Sequence, residues 1–110
     1  MNKGQVLTIL TAKLAEMATS AKEGKVRQGF ISGTLIVMAC SPGKFTVVYP
    51  DTMEYGFLDD YLAQQGHKPG RNDRKMGQRQ MTKVIDEKQE QKFYDKTYIN
   101  QDPDGRRGKN

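Results

Sequence analysis

The first part of the chain carries its clearest pattern of apolar and polar positions. Over residues 3–22, apolar residues recur every three or four positions and fall within an arc of about 120° when wound at 100° per residue. The apolar arc contains Val6, Leu7, Leu10, Leu14, Met17, Ala18 and Ala21. Asn2 is placed to cap the start of this segment, and Gly24 is placed to end it. The pattern predicts an amphipathic helix that packs one side on a sheet.

Strands are predicted over residues 26–49, where apolar runs are separated by turn residues. Residues 35–40 are apolar at every position, which predicts a central strand covered on both faces or nearly so. Residues 26–31 form a weaker first strand, because Gln28 and Gly29 dilute its apolar content. The Pro42-Gly43 pair favours a loose or bulged connection over a tight two-residue hairpin.

A second helix is predicted over residues 51–66. Asp51 and Glu54 have the spacing of a capping box, and Gly66 can end the helix. One face of this helix would carry Tyr55, Phe57, Leu58, Tyr61 and Leu62. Together the elements predict a small single α+β domain with an N-terminal helix, a two- or three-stranded antiparallel sheet and a second helix.

Apolar content falls sharply after Gly66. Residues 1–66 contain 31 hydrophobic residues, whereas residues 67–110 contain 8. A segment with so few apolar groups gains little burial to offset its ordering entropy. The sequence therefore predicts a compact domain over residues 2–66, a basic arm over residues 67–83, and a weakly helical extension with a disordered-type tail over residues 84–110.

The excess positive charge lies in the predicted arm. The chain has a net charge of +5, and residues 67–83 hold six Lys or Arg residues against Asp73, while the rest of the chain is balanced. The six are Lys68, Arg71, Arg74, Lys75, Arg79 and Lys83. Such a run can follow a phosphate backbone without reading sequence. This predicts a small accessory protein that binds nucleic acid, DNA or RNA, through these six residues.

A protein-interaction module is the alternative prediction. In this interpretation the chain is an inhibitor, an adaptor or an assembly factor that docks through its C-terminal segment. The docking residues would be Met81, Val84, Ile85, Phe93, Tyr94 and Tyr98. The two hypotheses differ in salt dependence, since phosphate binding weakens steeply with salt and apolar docking does not.

The residues that carry common chemistries are scarce. His67 is the only histidine and Cys40 the only cysteine, and Cys40 lies within an apolar run where packing explains it. We therefore expect no enzyme activity, no cofactor and no metal site. The longest apolar run is far too short to span a bilayer, which predicts no membrane partner and a cytoplasmic protein. The oligomeric state is left open.

Overall fold

In the computed structural model, which describes residues 2–85, the chain begins with the predicted helix. Helix α1 spans Lys3–Lys22. The Asn2 side chain accepts a hydrogen bond from the Gln5 backbone N–H, and the Gln5 side chain accepts one from the Asn2 N–H, each at 2.9 Å. Just beyond the helix, Gly24 has a φ of +79°, which an L side chain rarely adopts. The sequence prediction of this helix is confirmed.

The sheet has five antiparallel strands instead of the predicted two or three. They lie in the order β1-β2-β3-β5-β4. Their bounds are β1 Arg27–Phe30, β2 Val37–Ser41, β3 Lys44–Pro50, β4 Lys68–Pro69 and β5 Gln78–Val84. The two extra strands, β4 and β5, come from the segment predicted to be a basic arm.

Strand β5 extends the sheet beyond Gly66, the residue at which the apolar count places the end of the compact domain. It pairs with β3 along its whole length, from Gln78 opposite Pro50 to Val84 opposite Lys44, and so lies inside the sheet. Its Met81 is buried opposite Val47. The apolar count missed this strand because β5 brings few apolar side chains to the core and is held by its backbone ladder.

The run at residues 35–40 is not covered on both faces. Ile36, Met38 and Cys40 are buried, whereas Leu35 is 67% exposed and Val37 is 46% exposed. Helix α1 packs on β2 and β3 from one side only, and the buried residues of β2 face that side. β2 lies inside the sheet between β1 and β3, as predicted, but the prediction that both of its faces are covered is wrong.

The connection between β2 and β3 is a tight two-residue hairpin, not a loose one. Ser41 pairs with Lys44, which leaves Pro42 and Gly43 as the loop. Gly43 has a φ of +82°, and its N–H donates to the Ala21 carbonyl. Its own carbonyl accepts from the N–H of Ile85. Contacts with α1 and with the end of β5 therefore hold a turn that local preference disfavours.

Helix α2 is shorter than predicted. A 3₁₀ turn at Met53–Tyr55 precedes it, and the α-helix spans Phe57–Gln64 without a side-chain cap. Its apolar face is the predicted one, with Leu58 and Leu62 buried in the core. The predicted capping box at Asp51 is wrong, because the Asp51 carboxylate accepts hydrogen bonds from Arg74 instead.

Candidate functional site

The six basic residues predicted to bind phosphates do not form a free arm. Lys68 lies in β4, and Arg79 and Lys83 lie in β5. The other three, Arg71, Arg74 and Lys75, lie in the loop at residues 70–77, which we call the β4–β5 loop. The fold thus divides the charge run between the sheet and one loop.

Arg79 is neutralised inside the fold. Its Nε donates to Asp59 Oδ1 at 3.2 Å, and its Nη1 pairs closely with Asp73. Only 12% of the Arg79 side chain and 15% of the Asp73 side chain are exposed. Burial would lower the pKa of the Arg79 guanidinium, but Asp73 and then Asp59 outweigh it and raise that pKa. Arg79 is therefore a structural cation that ties β5 to α2 and to the β4–β5 loop.

The Arg79 network also holds Tyr49 of β3. The Tyr49 hydroxyl donates to Asp59 Oδ1 at 2.5 Å. Burial, followed by this hydrogen bond, raises the pKa of the Tyr49 phenol. Asp59 thus accepts a hydrogen bond from Tyr49 of β3 and pairs with Arg79 of β5. These two contacts fix α2 over the end of the sheet.

The β4–β5 loop presents the remaining charge. Arg74 pairs with Asp51 at 3.0 Å, so part of its charge is compensated. Arg71 and Lys75 are exposed and make no ion pair with any residue in the described range 2–85. Asp73 Oδ1 accepts from the Gln80 N–H at 3.0 Å and anchors the loop to β5. Two of the six predicted contacts therefore stand out as exposed and unpaired.

We expect Arg79→Gln to lower the free energy of unfolding by about 2–3 kcal/mol, because it removes the nearer of two cations beside the largely buried Asp73 and leaves only Arg74, at 3.8 Å. Arg71→Gln and Lys75→Gln serve as matched controls and should change it by less than about 0.5 kcal/mol. Urea unfolding followed by circular dichroism measures all three. Equal stability of the three variants would show that the Arg79 network contributes nothing to folding.

His67 is buried without a hydrogen-bond partner for either ring nitrogen within the described residues. Its ring lies edge-on to Phe45, with centroids 5.0 Å apart and an interplanar angle of 87°. Burial, with the nearby Lys83 as a smaller cause, lowers the pKa of His67 to about 4. The only histidine is thus a neutral core residue that links the start of β4 to β3.

This histidine predicts a loss of stability in mild acid. The folded pKa of about 4 lies below the ordinary 6.5, so the unfolded chain binds the proton more tightly. The contribution of neutral His67 to the free energy of unfolding is complete above pH 6.5. It falls as the pH drops towards 4, by about 2 kcal/mol at pH 5. His67→Leu should remove this part of the pH dependence, as measured by urea unfolding at pH 7 and pH 5. An unchanged difference between the two pH values would contradict it.

The residues predicted to dock a partner are only partly accessible. Met81 is 2% exposed and packs in the core, so its side chain offers little surface to a partner in this fold. Val84 and Ile85 are half-buried at the end of β5. Phe93, Tyr94 and Tyr98 lie outside the described residues.

An apolar surface appears instead on the open face of the sheet, the face away from the helices. Phe30 pairs with Val37, and Val37 pairs with Val48, so three apolar residues form a row across β1, β2 and β3. Phe30 is 63% exposed, Val37 is 46% exposed and Val48 is half-buried. Leu35, at 67% exposure, lies in the bend two positions before Val37. We call Phe30, Leu35, Val37 and Val48 the open-face patch.

No sequence prediction included this patch, although its signal was present in the apolar run. A strand that is apolar at every position needs cover on both faces, and the chain predicts only two helices with buried faces. With both helices on one side of the sheet, the alternate residues of the run remain in water. The unbroken apolar run therefore contained the information, but assigning it required the side on which the helices pack.

The metal-ligating side chains, the cysteine and the helices of the described part of the chain complete the description. Within residues 2–85, no cluster of three or more His, Cys, Asp or Glu side chains has the spacing of a metal site. Cys40 is 3% exposed, and its thiol lies 3.5 Å from the Lys25 carbonyl oxygen. Neither of the two α-helices in this range has the length and apolar content needed to cross a bilayer.

Comparison with known proteins identifies no relative. The chain matches no protein-family model, no curated protein and no solved structure at a significant level. The function therefore has to be argued from the surfaces described above.

Proposed function

We propose that the protein is a non-catalytic interaction module whose open sheet face binds a partner protein. The open-face patch is the observation that carries this proposal. Contiguous apolar side chains on the surface of a small domain mark interaction sites more often than isolated ones do. The row from Phe30 through Val37 to Val48 is contiguous by strand register.

The energetics of burial support the same surface. A fully buried Phe, Leu or Val side chain contributes roughly 1.5–3 kcal/mol relative to an exposed one. Phe30, Leu35 and Val37 each keep about half or more of their surface in water. A partner that covered all three would recover several kcal/mol, of the order needed to offset part of the entropy of association.

The test is capture of partners by the immobilised full-length chain from cells that produce it. Phe30→Asp and Val37→Asp place a charge in the patch and should abolish the specific capture. Met53→Asp is the matched control, since Met53 is 98% exposed and lies outside the sheet. Capture should persist in about 0.5 M salt and after nuclease treatment, because apolar docking depends weakly on ionic strength. A partner lost equally in all three variants, or retained in all three, would contradict the proposal.

Nucleic-acid binding is the second candidate, favoured by exposed Arg71 and Lys75 on an anchored loop. It is the weaker candidate because Arg79 and Arg74 form ion pairs with carboxylates of the chain itself. If it holds, Arg71→Gln with Lys75→Gln should weaken binding to a generic duplex and reduce the log-affinity slope against log salt by about 0.9 per lost contact. Lys13→Gln with Lys22→Gln on α1 makes the same change in net charge and should leave that slope nearly unchanged.

A further inference from the structure

Within residues 2–85, strand β1 is an edge of the sheet. Only β2 pairs with it in the described structure. The Ile31 N–H donates to the Ile36 carbonyl at 3.1 Å, so the backbone groups of Ile31 face β2. Because successive residues of a strand point their backbone groups to opposite sides, those of Gln28 and Phe30 face away from β2. They form a short, unpaired edge of the kind that accepts another strand.

A groove follows this edge. It is lined by Ile9 and Lys13, one turn apart on α1, by Gln28, Gly29 and Phe30 of β1, and by Val37 and Val48 of the open face. Since residues from both faces of the sheet line the same groove, it passes around the free edge of β1. An extended segment lying there would meet backbone donors and acceptors in the middle and apolar side chains on either side.

The charge of the groove limits what can occupy it. Lys13 is the only charged side chain among its lining residues, and it makes no ion pair with any residue from 2 to 85. Nearby Arg27, which begins β1, already donates to the Ser20 hydroxyl. A second copy of the chain paired through β1 would bring its own Lys13 and Arg27 towards these two residues, and the like charges would repel. A segment that carries a carboxylate meets an unpaired cation instead.

We propose that the groove along β1 binds an extended peptide segment of a partner protein as an added strand, with a carboxylate side chain at Lys13. This specifies the partner of the interaction module proposed above and rests on that function. Backbone hydrogen bonds to Gln28 and Phe30 would supply the affinity, and alternate apolar residues against the open-face patch would set the register. Among peptide segments of equal apolarity, the groove would prefer those that carry the acidic residue.

The experiment titrates the full-length protein with fluorescein-labelled octapeptides of alternating valine and threonine that carry one central aspartate. At about 50 mM salt the aspartate peptide should bind about tenfold more tightly than the same peptide with lysine. Lys13→Glu should reverse this preference. Lys22→Glu, an equal charge change on the same helix but outside the groove lining, should preserve it. N-methylation of alternate peptide nitrogens should reduce affinity several-fold.

A second measurement is independent of charge. Saturation with the aspartate peptide should slow hydrogen exchange at the amides of Gln28 and Phe30. No detectable binding of the aspartate peptide, or a preference unchanged by Lys13→Glu, would overturn the proposal. If strand addition fails while partner capture still depends on Phe30 and Val37, the interaction module stands without it. If the peptide binds as expected but Phe30→Asp and Val37→Asp leave partner capture unchanged, the proposed binding of a partner by the open face is wrong instead.

Discussion

A chain that ends at Lys68 should lose its cooperative unfolding transition. The truncation removes β5, which pairs with all seven residues of β3 and separates it from β4. It exposes one whole side of the β3 backbone and removes Met81 from the core. It also removes Arg79, which leaves Asp59 without its cation. For a domain this small, these losses together exceed the usual margin of stability.

Urea unfolding followed by far-ultraviolet circular dichroism measures this effect, since the chain has no tryptophan. A chain that ends at Ile85 is the control and should keep a single sharp transition. If the chain ending at Lys68 unfolded with the same midpoint and slope as the control, β5 would be peripheral. The compact domain would then end near Gly66, where the apolar content of the sequence places it.

Two neighbouring residues should differ greatly in their contribution to stability. Ile36 is 1% exposed in the core, whereas Leu35 is 67% exposed on the other side of the chain. Ile36→Ala should lower the free energy of unfolding by about 2–5 kcal/mol, because it opens a cavity in the core. Leu35→Ala should change it by less than about 0.5 kcal/mol, the size typical of surface positions.

Comparing Ile36→Ala with Leu35→Ala tests which side of this segment the helices cover. Both changes remove apolar atoms from adjacent positions, so differences in strand propensity and local sequence largely cancel. Equilibrium unfolding of both variants and of the parent chain gives the comparison. Similar losses at both positions would show that the open face is covered, and would remove the surface on which partner binding is proposed.

The candidate site was predictable only in part. The sequence located the charged residues, but it does not reveal that Arg79 bonds to Asp59, which lies 20 positions earlier in the chain. Arg79 and Arg71 look equivalent in the sequence, and only the fold distinguishes a buried ion pair from an exposed side chain. Ion pairing between distant segments depends on packing, and no local pattern records it.

The sequence by itself determined the α+β class, helix α1 with its Asn2 cap, the apolar face of α2 and the burial of Cys40. These features follow from periodicity and capping over a few neighbouring residues, which act before distant segments meet. Only the tertiary structure decided the place of β5, the tight turn at Pro42-Gly43 and the exposure of Phe30 and Val37. Each of these depends on pairing between segments distant in the chain. The polar strand β5 is held by backbone hydrogen bonds to β3. The disfavoured turn at Pro42-Gly43 is held by the groups that hydrogen-bond to it. The apolar face of Phe30 and Val37 stays open because both helices pack on the other side of the sheet.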